Sequence, residues 1–132
     1  MLDALTAINV AYLRKHPEMP RLYAAGVRYR REAPGKERWA SIPVVYALRC
    51  GDCEDLACWR TAELLVAGEK ARATFTSKET ATGVLYHIKV LRQDGRVEDP
   101  SLRLGMRGPH LHHHAKPRPL PHRPCPPPKR GG

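Results

Sequence analysis

The sequence predicts an α+β domain, and three observations carry that expectation. A capped stretch with apolar residues at helical spacing begins at Cys53 and reads as the central helix. A run of alternating side chains from Val84 to Arg92 reads as the strongest strand. Asp94-Gly95 follows that run after Gln93 and marks the turn of an antiparallel hairpin.

Taken in order, residues 3–15 read as a helix with Leu5, Ile8, Ala11 and Tyr12 on one face and Asp3 as its cap. Pro17 and Pro20 end it. Arg21 to Ala25 reads as a short second helix stopped by Gly26, and the alternation from Val27 to Glu32 as a short strand before the Pro34-Gly35 turn. Trp39, Ile42, Val44, Val45, Tyr46 and Leu48 form an apolar approach to the central helix. Pro43 argues against a long strand there, leaving a loop or short helical turns.

The central helix is the best-specified element. Asp52 can accept the orphan N–H groups of a first turn, and Asp55, three residues on, gives a carboxylate variant of the capping box. Leu56, Ala57, Leu64 and Leu65 recur at helical spacing, and Gly68 suits the position after the last turn. Cys53 therefore falls on the first helical residue, where backbone N–H groups and the macrodipole favour a thiolate. Beyond the helix, residues 71–76 read as a strand and residues 77–83 as a polar connection. Within 84–92, Tyr86, Ile88 and Val90 share one face, and Leu85, His87 and Leu91 the other. Residues 97–99 return as a strand that Pro100 ends.

A length of 132 residues suits one domain, and composition draws its boundary at residue 107. Residues 108–132 carry Lys116, Arg118, Arg123, Lys129 and Arg130 with no acid, half of the net charge of +10. They also hold eight of the thirteen prolines and five of the seven histidines. Such a segment cannot offset its ordering entropy by burial, so it reads as a basic, extended or disordered tail. It suits threading along a protein assembly partner or weak contact with the anionic backbone of a nucleic acid, the bland alternative being a solubilising end. No aromatic interleaves its cations, so base stacking is not supported, and its histidines would take up metal only adventitiously. No run of 18 apolar residues predicts a membrane span, and no leader is visible at Met1-Leu2-Asp3-Ala4. Cytoplasmic synthesis with reduced cysteines is the resulting expectation for Cys50, Cys53 and Cys58.

A cysteine nucleophile needs a base and a group that orients the base. Outside the tail only His16 and His87 qualify. His16 lies beside Pro17 at a helix end and reads as a surface residue. His87 lies mid-strand, where the competing reading is a satisfied core histidine. Asp99 is the candidate orienter, and hairpin parity tests it. A two-residue loop would set Asp99 opposite Val90, on the wrong face. A three-residue loop, Gln93 to Gly95 with a bulge glycine, sets it opposite Lys89, on the His87 face. Cys50 and Cys53 also form a C-x-x-C pair. A redox site would need a preceding strand in a βαβ unit, and zinc would need two further ligands, with Cys58 on another helix face. Oxidation of the pair to a disulfide would silence the nucleophile.

The run Gly51-Asp52-Cys53-Glu54-Asp55-Leu56-Ala57, then Tyr86-His87-Ile88-Lys89-Val90, then Glu98-Asp99-Pro100-Ser101 resembles the G-D-C-x-D-x-A, H-x-x-V and D-P-[ST] blocks of the transglutaminase-like cysteine peptidase superfamily. The likeness is greatest to its small bacterial and bacteriophage members and covers residues 27–106. It implies a papain-like core, a Cys53-bearing helix packed on an antiparallel sheet that carries His87 and Asp99. It further implies thiol-dependent acyl transfer on a protein or peptide substrate without a cofactor. Cys53 would be the nucleophile, His87 the proton shuttle, Asp99 the orienter, and the Cys53 N–H an oxyanion donor. Trp39 is loosely similar to an upstream tryptophan of the family. The alternative is a non-catalytic structural or adaptor protein, for example a phage particle component, that reuses the fold and docks through its tail.

Overall fold

The computed structural model describes residues 1–31 and 39–106. The tail expected from residue 108 onward, with the partner, nucleic-acid and metal roles considered for it, lies outside the described residues, as does the Pro34-Gly35 turn.

Helix α1 spans Leu2–Lys15 and is followed by a 3-10 turn at Leu22–Ala24. Two-residue strands β1 (Arg28–Tyr29) and β2 (Cys50–Gly51) pair in parallel on either side of α2 (Ile42–Leu48). The central helix α3 (Cys53–Val66) leads into a three-stranded antiparallel sheet of order β3-β4-β5, formed by Ala71–Thr80, Gly83–Arg92 and Val97–Glu98. A single turn of helix, α4 (Pro100–Arg103), closes the described chain. The α+β class expected from the sequence is what the chain adopts, and no helix among the described residues is long and apolar enough to cross a membrane.

Helix α3 organises the core because it is buried on two sides, with ten of its fourteen residues inaccessible. Leu56, Trp59 and Ala62 face a cluster with Leu13, Leu22, Ile42 and Val45. Ala57, Cys58 and Leu64 face a second cluster with Leu2, Leu5, Ala73, Ile88 and Val90. The first packs the N-terminal elements onto the helix, and the second packs the sheet onto it.

Both ends of α3 follow local chemistry. Asp52 and Asp55 form the reciprocal capping box. At the other end Gly68 takes φ +90, its N–H reaches the Leu65 carbonyl, and the Glu69 N–H reaches that of Leu64, a Schellman closure.

Several expectations are corrected. Helix α1 begins at Leu2 without a side-chain cap, and Asp3 falls in its first turn. Its buried stripe runs through Leu2, Leu5, Asn9 and Leu13, leaving Ile8 exposed. The rotation brings Asn9 inward, where Oδ1 accepts the Ile42 N–H at 2.9 Å and caps α2 from another element. Of the two alternatives for the Pro43 segment the helical one holds, because proline in a first turn lacks only an N–H that has no intrahelical partner. The stretch 77–83, expected to be a connection, extends both hairpin strands to Thr80 and Gly83. A polar strand needs only its ladder partner, which β4 supplies.

Candidate active site

The site is assembled where the start of α3 meets β4 and the end of β5. Gly51 precedes the helix in a tight space, where a side chain would force its neighbours to give by a few tenths of an ångström. A Cβ there would lie 3.2 Å from Asp55 Cβ, 3.2 Å from Leu56 Cδ2 and 3.3 Å from Val45 Cγ1. Asp52 Oδ1 accepts the Cys53 N–H at 2.7 Å, and the Asp52 N–H donates to Asp55 Oδ2 at 3.2 Å. The other Asp55 oxygen accepts the Ala40 N–H at 2.8 Å. One buried carboxylate thus ties the helix start to the segment carrying Trp39, which packs with Cys53 against the sheet-side cluster.

Residues 93–95 form the three-residue hairpin loop. The Arg92 N–H reaches the Arg96 carbonyl, the Gly95 N–H reaches that of Arg92, and Gly95 takes φ +87. Val90 pairs with Glu98 and Leu91 with Val97, a register that sets Asp99 against Lys89. Asp99 consequently shares the sheet face of His87. The His87 Nε2 lies 3.0 Å from Asp99 Oδ1 and 2.9 Å from Oδ2, with both side chains largely shielded. Asp99 also accepts the Leu102 N–H at 3.2 Å and so caps α4.

Burial works to raise the Asp99 carboxyl, but the hydrogen bonds from His87 and the Leu102 N–H, with the charges of His87 and Lys89, outweigh it. The net shift is downward from 3.8.

Cys53 is half-buried at the first residue of α3, as its spacing predicts. The sulfur packs against the cluster that holds Ile88, the strand residue next to His87, and the Ile88 N–H lies near enough to favour the thiolate slightly. The thiol itself donates to Glu54 Oε2 at 3.4 Å. Among the described residues no hydrogen bond joins the sulfur to the His87 ring. The three candidate residues therefore converge unequally: His87 and Asp99 are paired, whereas the Cys53 thiol donates to Glu54.

The electrostatics correct a second expectation. Desolvation, then the charges of Asp52 and Glu54, push the Cys53 thiol far above the ordinary cysteine range, and the Ile88 N–H only partly opposes them. The thiolate preference of a helix N-terminus is real but small beside burial next to two carboxylates. The Cys53 N–H, expected as an oxyanion donor, is committed to Asp52.

Cys58 is buried and donates to the Leu2 carbonyl at 3.5 Å, within the core. Cys53 and Cys58 are free thiols, so the Cys50–Cys53 bond is unformed. His16 is a partly exposed residue at the end of α1, stacked on Tyr12 and paired with Glu18 at 3.2 Å. Asp52, Cys53 and Glu54 bring their polar atoms within 4.8 Å of one another, a consequence of three consecutive residues at one helix start.

Sequence reasoning missed Glu54 and Tyr29. Glu54 is only 7% exposed although it follows an N-cap, and it touches the sulfur. The Tyr29 hydroxyl is pushed upward by burial first, then by the charges of Asp52, Cys53 and Glu54, which marks its closeness to the same group. A glutamate adjacent to a candidate nucleophile is a signal legible in the sequence, whereas the approach of Tyr29 depends on β1 pairing with β2.

No family model, no curated protein and no solved structure matches this chain.

Proposed function

We propose that the protein is a transglutaminase-like cysteine hydrolase or acyltransferase acting on peptide or side-chain amides through Cys53, His87 and Asp99. The observation that carries this reading is the His87–Asp99 pair, delivered by a bulged three-residue turn to the strand position beside the Cys53 sulfur. A histidine buried only for packing would not need a turn that sets a carboxylate on its own face.

In the proposed reaction the Cys53 proton passes to the free ring nitrogen of His87, and the sulfur adds to a carboxamide carbon. Asp99 holds the other ring nitrogen and stabilises the imidazolium. Collapse of the adduct breaks the C–N bond, and the imidazolium returns its proton to the departing amine. A thioester on Cys53 remains, which water or a second amine then releases.

The test is to incubate the protein with peptide carboxamides, quench in acid and read the mass of Cys53-containing fragments. An acyl adduct on Cys53 that is absent in Cys53→Ala and much slower to form in His87→Ala supports the reading. A folded protein that forms no adduct with any carboxamide and releases no ammonia overturns it.

One observation favours a second reading, a structural or adaptor protein that reuses the fold. The thiol donates to Glu54 rather than to His87, as a vestigial nucleophile would. On that reading Cys53→Ala retains every binding property of the wild type in pull-downs against co-expressed partners.

A further inference from the structure

Helix α1 buries Leu2, Leu5 and Leu13, and its other side carries Asp3, Ala7, Ala11 and Arg14 as an exposed stripe at helical spacing. Where that stripe passes α3 and β3 it borders a groove of about 540 Å³. Small-molecule sites occupy roughly 300–1,000 Å³, so the groove is large enough to hold one. Val10 of α1, Leu65 of α3 and Ala71 and Ala73 of β3 complete its apolar lining. The groove shares no residue with the candidate active site.

The polar groups of the lining are unevenly engaged. Thr61 donates its hydroxyl to the Ala57 carbonyl at 2.7 Å, and the Thr6 hydroxyl is sealed from solvent beside the Cys58 sulfur. Three charged side chains remain, Asp3, Arg14 and Arg72. Arg60, Arg92 and Arg96 each hold a carboxylate, but among the described residues no ion pair engages Arg14 or Arg72. Asp3 pairs with neither, and it stands about 16 Å from Arg14 along the helix axis. The lining has no aromatic side chain on which a ring could stack. Aliphatic walls suit an aliphatic body, and unpaired guanidinium forks suit a carboxylate.

We propose that the groove between α1, α3 and β3 binds a small aliphatic carboxylate, its anionic head taken by Arg14 and Arg72 and its body covered by Ala7, Val10, Ala11 and Leu65. The inference is independent of the acyl-transfer reading. A groove open on one side gives modest affinity, a dissociation constant of about 1 mM or tighter for an eight-carbon chain. Because the ligand touches three elements that come together only in the folded chain, its binding also raises the melting temperature.

The test is titration of the isotope-labelled full chain with sodium octanoate, read by amide chemical shifts, with the melting temperature of each ligand-free variant as a control for folding. Saturable shifts centred on Ala7, Val10, Ala11 and Ala73 are expected. The double variant Arg14→Ala, Arg72→Ala should bind octanoate at least about tenfold more weakly, and octanol, the same chain without the charge, should lose as much against the wild type. Ala11→Trp places an indole at an exposed helix position beside the groove and should abolish the response while the protein stays folded. Shifts that never saturate, or that scatter over the basic surface, would overturn the proposal. So would octanol binding as tightly as octanoate, or a folded double arginine variant that binds octanoate like the wild type. A folded Ala11→Trp protein with undiminished shifts would place the ligand elsewhere and overturn it as well.

Discussion

The imidazole of His87 on β4 and the carboxylate of Asp99, just past β5, meet at 2.9 and 3.0 Å through a single ring nitrogen, Nε2. The contact spans twelve residues and depends on the count of residues in one turn. Its consequences for pH and activity can be worked out. The folded Asp99 carboxyl lies below its ordinary 3.8, so it contributes stability that is present above that value and lost as pH falls through the lowered folded value. Asp99→Asn removes this titration. Melting temperature measured between pH 2.5 and pH 6 should fall less steeply on the acid side in Asp99→Asn than in the wild type, and equal slopes would show that the pair adds nothing. On the proposed function the same variant slows acyl-adduct formation on Cys53 by about a hundredfold or more.

Gly95 makes that register possible, since its φ of +87 is reached by other residues only with strain. Nothing lies within 4 Å of a Cβ built there, so Gly95→Ala isolates the backbone effect. The expected cost is about 1–2 kcal/mol, seen as a melting temperature lowered by several degrees.

Glu63 joins the N-terminal region to the central helix. Its Oε2 accepts the Leu22 N–H at 2.7 Å and the Trp59 Nε1–H at 3.0 Å, and its Oε1 accepts from Arg60 at 3.2 Å. Burial raises its carboxyl above the ordinary range even though these donors pull it back. Glu63→Leu would strand two buried donors, and urea denaturation should report a loss of about 2–4 kcal/mol. A loss under 0.5 kcal/mol would mean that water replaces the carboxylate.

Glu98 anchors the strand that leads to Asp99. It accepts from Arg60 at 2.6 Å and from the Tyr23 hydroxyl, with Arg92 3.4 Å away on the same side chain. Glu98 and Asp99 are neighbours on opposite faces, so the first pins β5 to α3 while the second reaches His87. Arg60→Met is expected to cost about 2–3 kcal/mol because it leaves a shielded carboxylate short of its main partner. Adding Glu98→Met should restore much of that loss, and a double-mutant cycle in urea measures the coupling. Two independent, additive losses would remove the pair from the account.

Much of the fold and half of the site were legible from local patterns. The capping residues Asp52 and Asp55, the closing glycine Gly68 and the bulge at Gly95 were all readable, because each satisfies backbone geometry within a few residues. Helix α1 was misread by one face, since its orientation depends on Asn9 serving the Ile42 N–H across 33 residues. The parallel pairing of β1 with β2 was equally invisible, because neither two-residue strand carries a pattern.

The sequence by itself determined that Cys53 begins a helix and that Asp99 can share a face with His87 only through a three-residue turn or a bulge elsewhere in the hairpin. Both are matters of residue count and backbone hydrogen bonding, which are local. The tertiary structure alone decided the state of the sulfur. Packing α3 against β4 desolvates the thiol and buries Glu54 beside it, so a position that favours a thiolate in an isolated helix holds a protonated thiol in the folded chain.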